Sequence, residues 1–191
     1  MKKLNYIWFH KDRKHYFSND YGPEYGWLEA HQGQPPIGLH LGMFVDNIED
    51  LADDEQRKKW LPLARNLDII GCYAQTEIGH GSDVQGLETT ATFDKETDEF
   101  VIHTPSMTAT KWWPGDMGRN ANFGTVYARL LIENDGEMAD YGPASFIVQL
   151  RDRDTHKHMP GVKSGDLGPK FGFFEKDNGW MSFNKVRIPR N

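Results

Sequence analysis

Near residue 68 the spacing of the apolar side chains changes period, and no single regular element can straddle such a change. Upstream, 37-IGLHLGMFVDNI-48 puts Ile37, Leu41, Phe44, Val45 and Ile48 on one face at helical spacing. The run 53-DDEQRKKWLPLARNL-67 begins acidic and continues basic, an order that suits the helix dipole, with Asp53 or Asp54 as N-cap. Pro62 predicts a kink or a break in that helix. Downstream, residues 69–75, 87–93 and 99–103 are short strand-like runs, and 94-DKETD-98 reads as a hairpin turn. Further strands are expected at 124–132, 144–150 and 180–188, the last preceded by the tight-turn pair Asn178-Gly179. The polar stretch 152–170 reads as a loop with room for one short strand.

The expectation is therefore an α+β chain. A helical segment, residues 1–68, punctuated at Gly22-Pro23 and Gln34-Pro35-Pro36, leads into an antiparallel β-barrel or sandwich domain, residues 69–191. The helical part carries too few core positions to bury much surface alone. A hydrophobic share of 38% fits a folded core. The net charge of −6, with scattered basic residues, argues against a nucleic-acid binder. No apolar run approaches the length of a membrane span, so no membrane insertion is expected. The one cysteine, Cys72, sits in an apolar strand-like run and reads as a buried thiol in a reducing compartment. His156 and His158 read as solvated loop residues, and no histidine spacing predicts a metal site.

Two stretches carry the chemistry. In 76-TEIGHGSD-83, Gly79 and Gly81 let the backbone turn and approach a ligand closely, while Thr76 and Ser82 add hydroxyls. Such a loop can cradle phosphate or carbonyl oxygens, or it can be an ordinary turn-rich loop. It is neither a P-loop nor a dinucleotide fingerprint, because no Gly-Lys-Ser/Thr and no strand–turn–helix context accompany it. Glu77 beside Thr76 could serve as a base, but reads rather as a helix-end or strand-end carboxylate making structural bonds. In 108-TATKWWPGDMGRN-120, the adjacent Trp112 and Trp113 would point to opposite faces of a strand. One could pack in the core while the other lies against a flat ligand, or both could be core or interface residues. Pro114 ends that strand and leaves the backbone of Gly115 free.

Together 71-GCYAQTEIGHGSDVQGLETTATFD-94, 110-TKWWPG-115 and 160-PGVKSGDLGPKFGFFEKDNGWMSFNKVRIPR-190 resemble the acyl-CoA oxidase family, as does 36-PIGLHLGMF-44 upstream. The resemblance implies a helical domain, a central β-barrel and a large C-terminal helical region, with FAD lying against the β-domain. It implies that Thr76 and Gly115 bond the flavin, with Gln75 and Trp113 beside them. It places Gly79, His80, Gly81 and Ser82 next to the acyl-CoA thioester and pantetheine. The implied reaction turns a fatty acyl-CoA into a trans-2-enoyl-CoA and passes the electrons to O2, giving hydrogen peroxide. The implied setting is a peroxisomal homodimer. The family's catalytic Glu belongs to the C-terminal region, beyond Asn191, so no catalytic residue is expected here and the chain is expected to be a fragment. The alternative is a truncated product that binds flavin or acyl-CoA, or pairs with longer relatives, without turnover. Ser82-Asp83 also resembles the related acyl-CoA dehydrogenases, while Trp112-Trp113-Pro114-Gly115 favours the oxidases. Asp116 stands where the family often has Gly.

Overall fold

The computed structural model describes residues 37–174 and 176–191. Expectations that fall on residues 1–36 lie outside them. A π-helical stretch, His40–Val45, runs into helix α1 (Asp46–Leu51), and helix α2 (Asp54–Arg65) follows. The π-helical stretch shifts the apolar face, so Phe44, Val45 and Ile48 are buried with His40 while Ile37 and Leu41 are only half-buried. Asp53 caps α2 in a capping box with Gln56. Pro62 does not break α2, which runs on to Arg65. The proline falls in the last turn, where little helix remains to be disturbed.

Nine strands follow among the described residues: β1 (Gly71–Ala74), β2 (Thr90–Asp94), β3 (Glu99–His103), β4 (Lys111–Trp112), β5 (Phe123–Asn134), β6 (Glu137–Gln149), β7 (Val162–Asp166), β8 (Gly179–Phe183) and β9 (Val186–Pro189). The expected 94–98 turn joins β2 to β3, with Asp98 at φ 57°. The expected strand over 180–188 is two strands, because the chain turns at Asn184-Lys185, where Lys185 has φ 52°. β8 joins a sheet with β4 and β7, while β9 crosses to pair with β3. The two sheets touch where the Thr104 N–H donates to the Phe183 carbonyl at 2.8 Å.

The expectation of a purely antiparallel barrel needs correction. The larger sheet is mixed: β5 pairs antiparallel with β6 on one edge and parallel with both β1 and β2 on the other. β1 matches residues 123–126 of β5, and β2 matches residues 129–131. They are two collinear pieces of one interrupted edge strand. Residues 75–89 form the excursion between them. Hydrophobic alternation reports which face a residue takes, not the direction of a distant partner, so the parallel pairing was invisible to it.

The core has two parts. Cys72, Ala91, Ile102, Val126, Val148 and Met181 belong to the cluster between the sheets. Phe44, Ile48, Ala64, Ile69 and Phe123 join the helices to the larger sheet. There the Phe44 ring fills the space a side chain at Gly71 would take: a Cβ would fall 2.1 Å from Cγ. Beside it, Gly71 N–H donates to His40 Nδ1 at 2.9 Å, so the other ring nitrogen, Nε2, carries the proton and donates to the Ala64 carbonyl at 3.0 Å. Burial pulls the imidazole down to about 4. Among the described residues no helix is long and apolar enough to cross a membrane.

Candidate functional site

An interrupted strand leaves backbone carbonyls without ladder partners, and buried carbonyls must find donors. The Lys111 ammonium supplies them. It donates to the Tyr127 carbonyl at 2.6 Å, in the part of β5 that neither β1 nor β2 covers, and to the Gln75 carbonyl at 3.1 Å. Glu77 balances its charge at 2.8 Å, and both side chains are fully buried. Glu77 also accepts from the amides of Glu88 and Thr89, at 2.8 and 3.0 Å. Burial pushes the Glu77 carboxyl up, but Lys111 and the hydrogen-bond donors outweigh it and hold the carboxyl below its ordinary value. Burial pulls the Lys111 ammonium down to about 8 against the pull of Glu77. Glu77 is thus structural, as expected.

This pair brings the two chemistry-bearing stretches side by side. Ile78 and Gly79 donate N–H to the carbonyls of Thr110 and Thr108, both at 2.9 Å, and Trp112 N–H donates to the Thr76 carbonyl at 3.0 Å. Thr76 and Gln75 therefore lie beside the Trp112–Gly115 segment. Among the described residues the hydroxyls of Thr76 and Ser82 meet no hydrogen-bond partner, while Gln75 Oε1 accepts from Tyr73 at 2.9 Å. Gly81 has open space around the position of a Cβ, and Gly79 lies 3.1 Å by the same measure from Thr108 Cβ. Neither glycine uses a positive φ. The His80 side chain is turned inward, 8% exposed, with Nε2 3.7 Å from Glu77 Oε2 and no hydrogen bond at either nitrogen.

The tryptophans differ from expectation. Neither is a core residue: Trp112 and Trp113 are 40% and 48% exposed. β4 is only two residues long, its buried position goes to Lys111, and Trp113 leaves the strand at φ 84°. Asp116, at φ 65°, closes the same turn. Residues that sequence reasoning did not single out hold this turn. Asn178 Nδ2 donates to the Trp113 carbonyl at 2.6 Å, Gly179 N–H to the Pro114 carbonyl at 2.9 Å, and Asp177 accepts from the amides of Arg119 and Asn120. The buried Arg151 guanidinium donates to the carbonyls of Met117, Gly118 and Ala121 and to Ser164 Oγ. The legible signal near these was the pair Asn178-Gly179, expected as a tight turn; instead Gly179 opens β8 and neither residue has a positive φ.

A cleft of about 710 Å³, lined by residues such as Trp60, Phe100, Phe146 and Arg187, lies elsewhere and touches none of residues 75–83 or 112–116. His156 and His158 are exposed, and no cluster of three or more metal-ligating side chains exists among the described residues. What the two paired stretches can do is bind. They offer exposed flat rings, free hydroxyls and an open glycine beside a rigid, charge-balanced anchor. Trp112 lies beside Thr76, and both Trp112 and Trp113 leave part of their large aromatic surface open to solvent.

Residues 5–70 match the family described as acyl-coenzyme A oxidase N-terminal, and residues 72–186 match acyl-CoA dehydrogenase, middle domain. Peroxisomal acyl-coenzyme A oxidase 1 of Arabidopsis thaliana is 53% identical over 172 residues, covering 88% of this chain and 25% of that protein. The structure of Caenorhabditis elegans acyl-CoA oxidase-1 complexed with FAD and ATP matches with a TM-score of 0.86 at 44% identity, over 97% of this chain and 27% of the other. That of C. elegans acyl-CoA oxidase-2 bound with FAD, ascaroside-CoA and ATP matches with a TM-score of 0.84 at 44% identity, over 97% and 27%. The chain spans about a quarter of the length of the curated relatives it matches.

Proposed function

Since the chain belongs to the acyl-CoA oxidase family, we propose that it forms the flavin- and thioester-facing part of an enzyme that oxidises fatty acyl-CoA to trans-2-enoyl-CoA. In that reaction the substrate loses a proton from its α-carbon and a hydride from its β-carbon, and O2 is reduced to hydrogen peroxide. FAD, when bound, supplies the hydride acceptor and the reactivity with O2. The observation that carries the reading is the pairing of residues 76–79 with 108–112, which sets Thr76 beside the exposed Trp112.

In this reading Thr76, Gln75 and Trp113 hold the flavin ring; Gly115, whose backbone was expected to be free, is buried with Lys176 and Leu39 packed against it. The Gly79–Ser82 loop, with His80 folded beneath it, lines the path of the thioester and pantetheine. Hydrogen-bond donors near the thioester oxygen would stabilise the charge that builds there as the α-proton leaves. Glu77 cannot take that proton, because it is buried and committed to Lys111 and two amides. The base is proposed to be a carboxylate outside the described residues. A homodimer and a peroxisomal location belong to the same proposal, the latter resting on the naming of relatives.

The test is the visible absorbance of the purified chain after gel filtration, with and without added FAD and with Thr76→Ala beside it. Retained flavin that weakens in Thr76→Ala is expected. A folded chain that binds neither FAD nor acyl-CoA at any concentration tried would overturn the assignment of this face. Turnover by the described residues is not expected. Steady hydrogen peroxide release from the chain and an acyl-CoA, above the Thr76→Ala control, would contradict that.

A further inference from the structure

Gln75 is gripped by its neighbours, and the grip has a polarity. The residue stands one position past the last ladder pair of β1 with β5, Ala74 with Val126, so its backbone faces that of Tyr127. Lys111 Nζ holds both carbonyls there, at 3.1 and 2.6 Å, and leaves the two side chains to other partners. Cys72, Ala74, Val126 and Ala128 belong to the core between the sheets, so Tyr73, Gln75 and Tyr127 take the opposite face.

On that face a chain of hydrogen bonds runs from helix α1 to Gln75. Asn47 Nδ2 donates to the Tyr127 oxygen at 2.9 Å. Tyr127 hydrogen-bonds the neighbouring Tyr73, the ring centroids lying 5.2 Å apart. Tyr73 donates to Gln75 Oε1 at 2.9 Å. Each phenol has one proton, so the first donor fixes the direction: Tyr127 takes the Asn47 N–H and gives its own proton to Tyr73, which gives its proton to Gln75. Burial and the Tyr127 phenol push the Tyr73 phenol up, so that proton stays on at neutral pH. With Oε1 taken, Gln75 has only Nε2 left to offer, and among the described residues Nε2 meets no partner.

We propose that Tyr73 is a positioning residue: by occupying Oε1 it locks the Gln75 amide with its N–H groups outward, as donors to a carbonyl oxygen of the flavin's pyrimidine ring. The proposal rests on the reading of Gln75 as flavin-facing. A free amide also samples the flipped orientation, which sets oxygen against oxygen and leaves the carbonyl without a donor.

The test compares the unaltered chain with Tyr73→Phe, Gln75→Met and Gln75→Glu. Phenylalanine keeps the ring and removes the hydroxyl, methionine removes both polar groups at 75, and glutamate offers oxygens alone. Two quantities are read. The order of the Gln75 side-chain amide is measured by NMR relaxation without cofactor, its signal assigned by its loss in the Gln75 variants. FAD affinity is measured by flavin fluorescence titration. The amide should be rigid in the unaltered chain and fall to a flexible order parameter, below about 0.6, in Tyr73→Phe, with the backbone of the β2–β3 hairpin unchanged. FAD should bind roughly three- to tenfold more weakly to Tyr73→Phe and to Gln75→Met, and more weakly still to Gln75→Glu. An amide equally ordered with and without the Tyr73 hydroxyl would overturn the lock, whatever FAD does. Gln75→Glu binding FAD more tightly than Gln75→Met would overturn the donor polarity. Lost amide order with unaltered FAD affinity would reduce Tyr73 to a structural role and overturn the positioning claim. If the unaltered chain fails to bind FAD, the flavin reading and the flavin role of Tyr73 fall together, while the relaxation data still judge the lock.

Discussion

Acid should loosen the contact between the helices and the β-sheet through one residue, His40. Its Nδ1 accepts from Gly71 N–H and its Nε2 donates to the Ala64 carbonyl, so the folded protein holds the neutral imidazole. A proton on Nδ1 would face the Gly71 amide donor head-on. In the unfolded chain the ring takes up a proton near its ordinary 6.5, and in the folded chain only near 4. Between those values unfolding binds one proton more than the native state. Stability is therefore fully present above about pH 6.5 and falls as the pH drops, at about 1.4 kcal/mol per unit and roughly 3 kcal/mol in all. The assay is urea unfolding from about pH 7.5 down to about pH 4, for the unaltered chain and for His40→Gln. Glutamine offers one acceptor and one donor but does not titrate, so the difference between the two chains isolates His40 from every surface carboxylate. The advantage of histidine at neutral pH should shrink by most of that roughly 3 kcal/mol on acidification. A difference that stays flat, or widens in acid, would falsify the assignment of a neutral, doubly bonded imidazole.

Three further outcomes follow from contacts of the same kind. Lys111→Met should destabilise by about 3–5 kcal/mol in urea unfolding, because it strands Glu77 and the Tyr127 and Gln75 carbonyls, and adding Glu77→Gln should recover part of the loss. Gly71→Ala should cost about 1–3 kcal/mol in thermal unfolding as the Phe44 ring is displaced, and Phe44→Leu should ease it; an unaffected melting temperature would contradict the packing. Cys72 is fully buried and burial pushes its thiol up to about 12, so a thiol reagent at about pH 8 should label it only after denaturant is added; rapid labelling of the native chain would show that β1 opens readily.

Much of the fold was legible because it is local. The hairpin turn at 94–98, the Asp53 cap and the strand runs each announce themselves within a few residues. The pairing directions were not legible, because β1 meets β5 across some fifty intervening residues and alternation carries no partner address. The site divides the same way. Thr76, Gly79, Gly81 and Ser82 stood out as small and polar, and Trp112-Trp113 as aromatic, but their adjacency depends on a buried ammonium. Nothing in the sequence singled out Lys111 or Arg151; only the geometry of stranded carbonyls gives either a reason to be buried. The tryptophans went to the surface because a lysine took the inward position between them and the core.

The plugged gap in the edge strand also makes the loop it supports a cassette. Register is set on both sides of the excursion, by residues 71–74 upstream and 90–92 downstream, and the break itself is sealed by Glu77 and Lys111. The exposed tip between them, residues 81–86, pairs with no strand and meets the sheet through the Gln85 carbonyl, which accepts from Arg129 Nη1 at 2.6 Å. Its length and chemistry can therefore vary while the two flanking registers keep the sheet aligned.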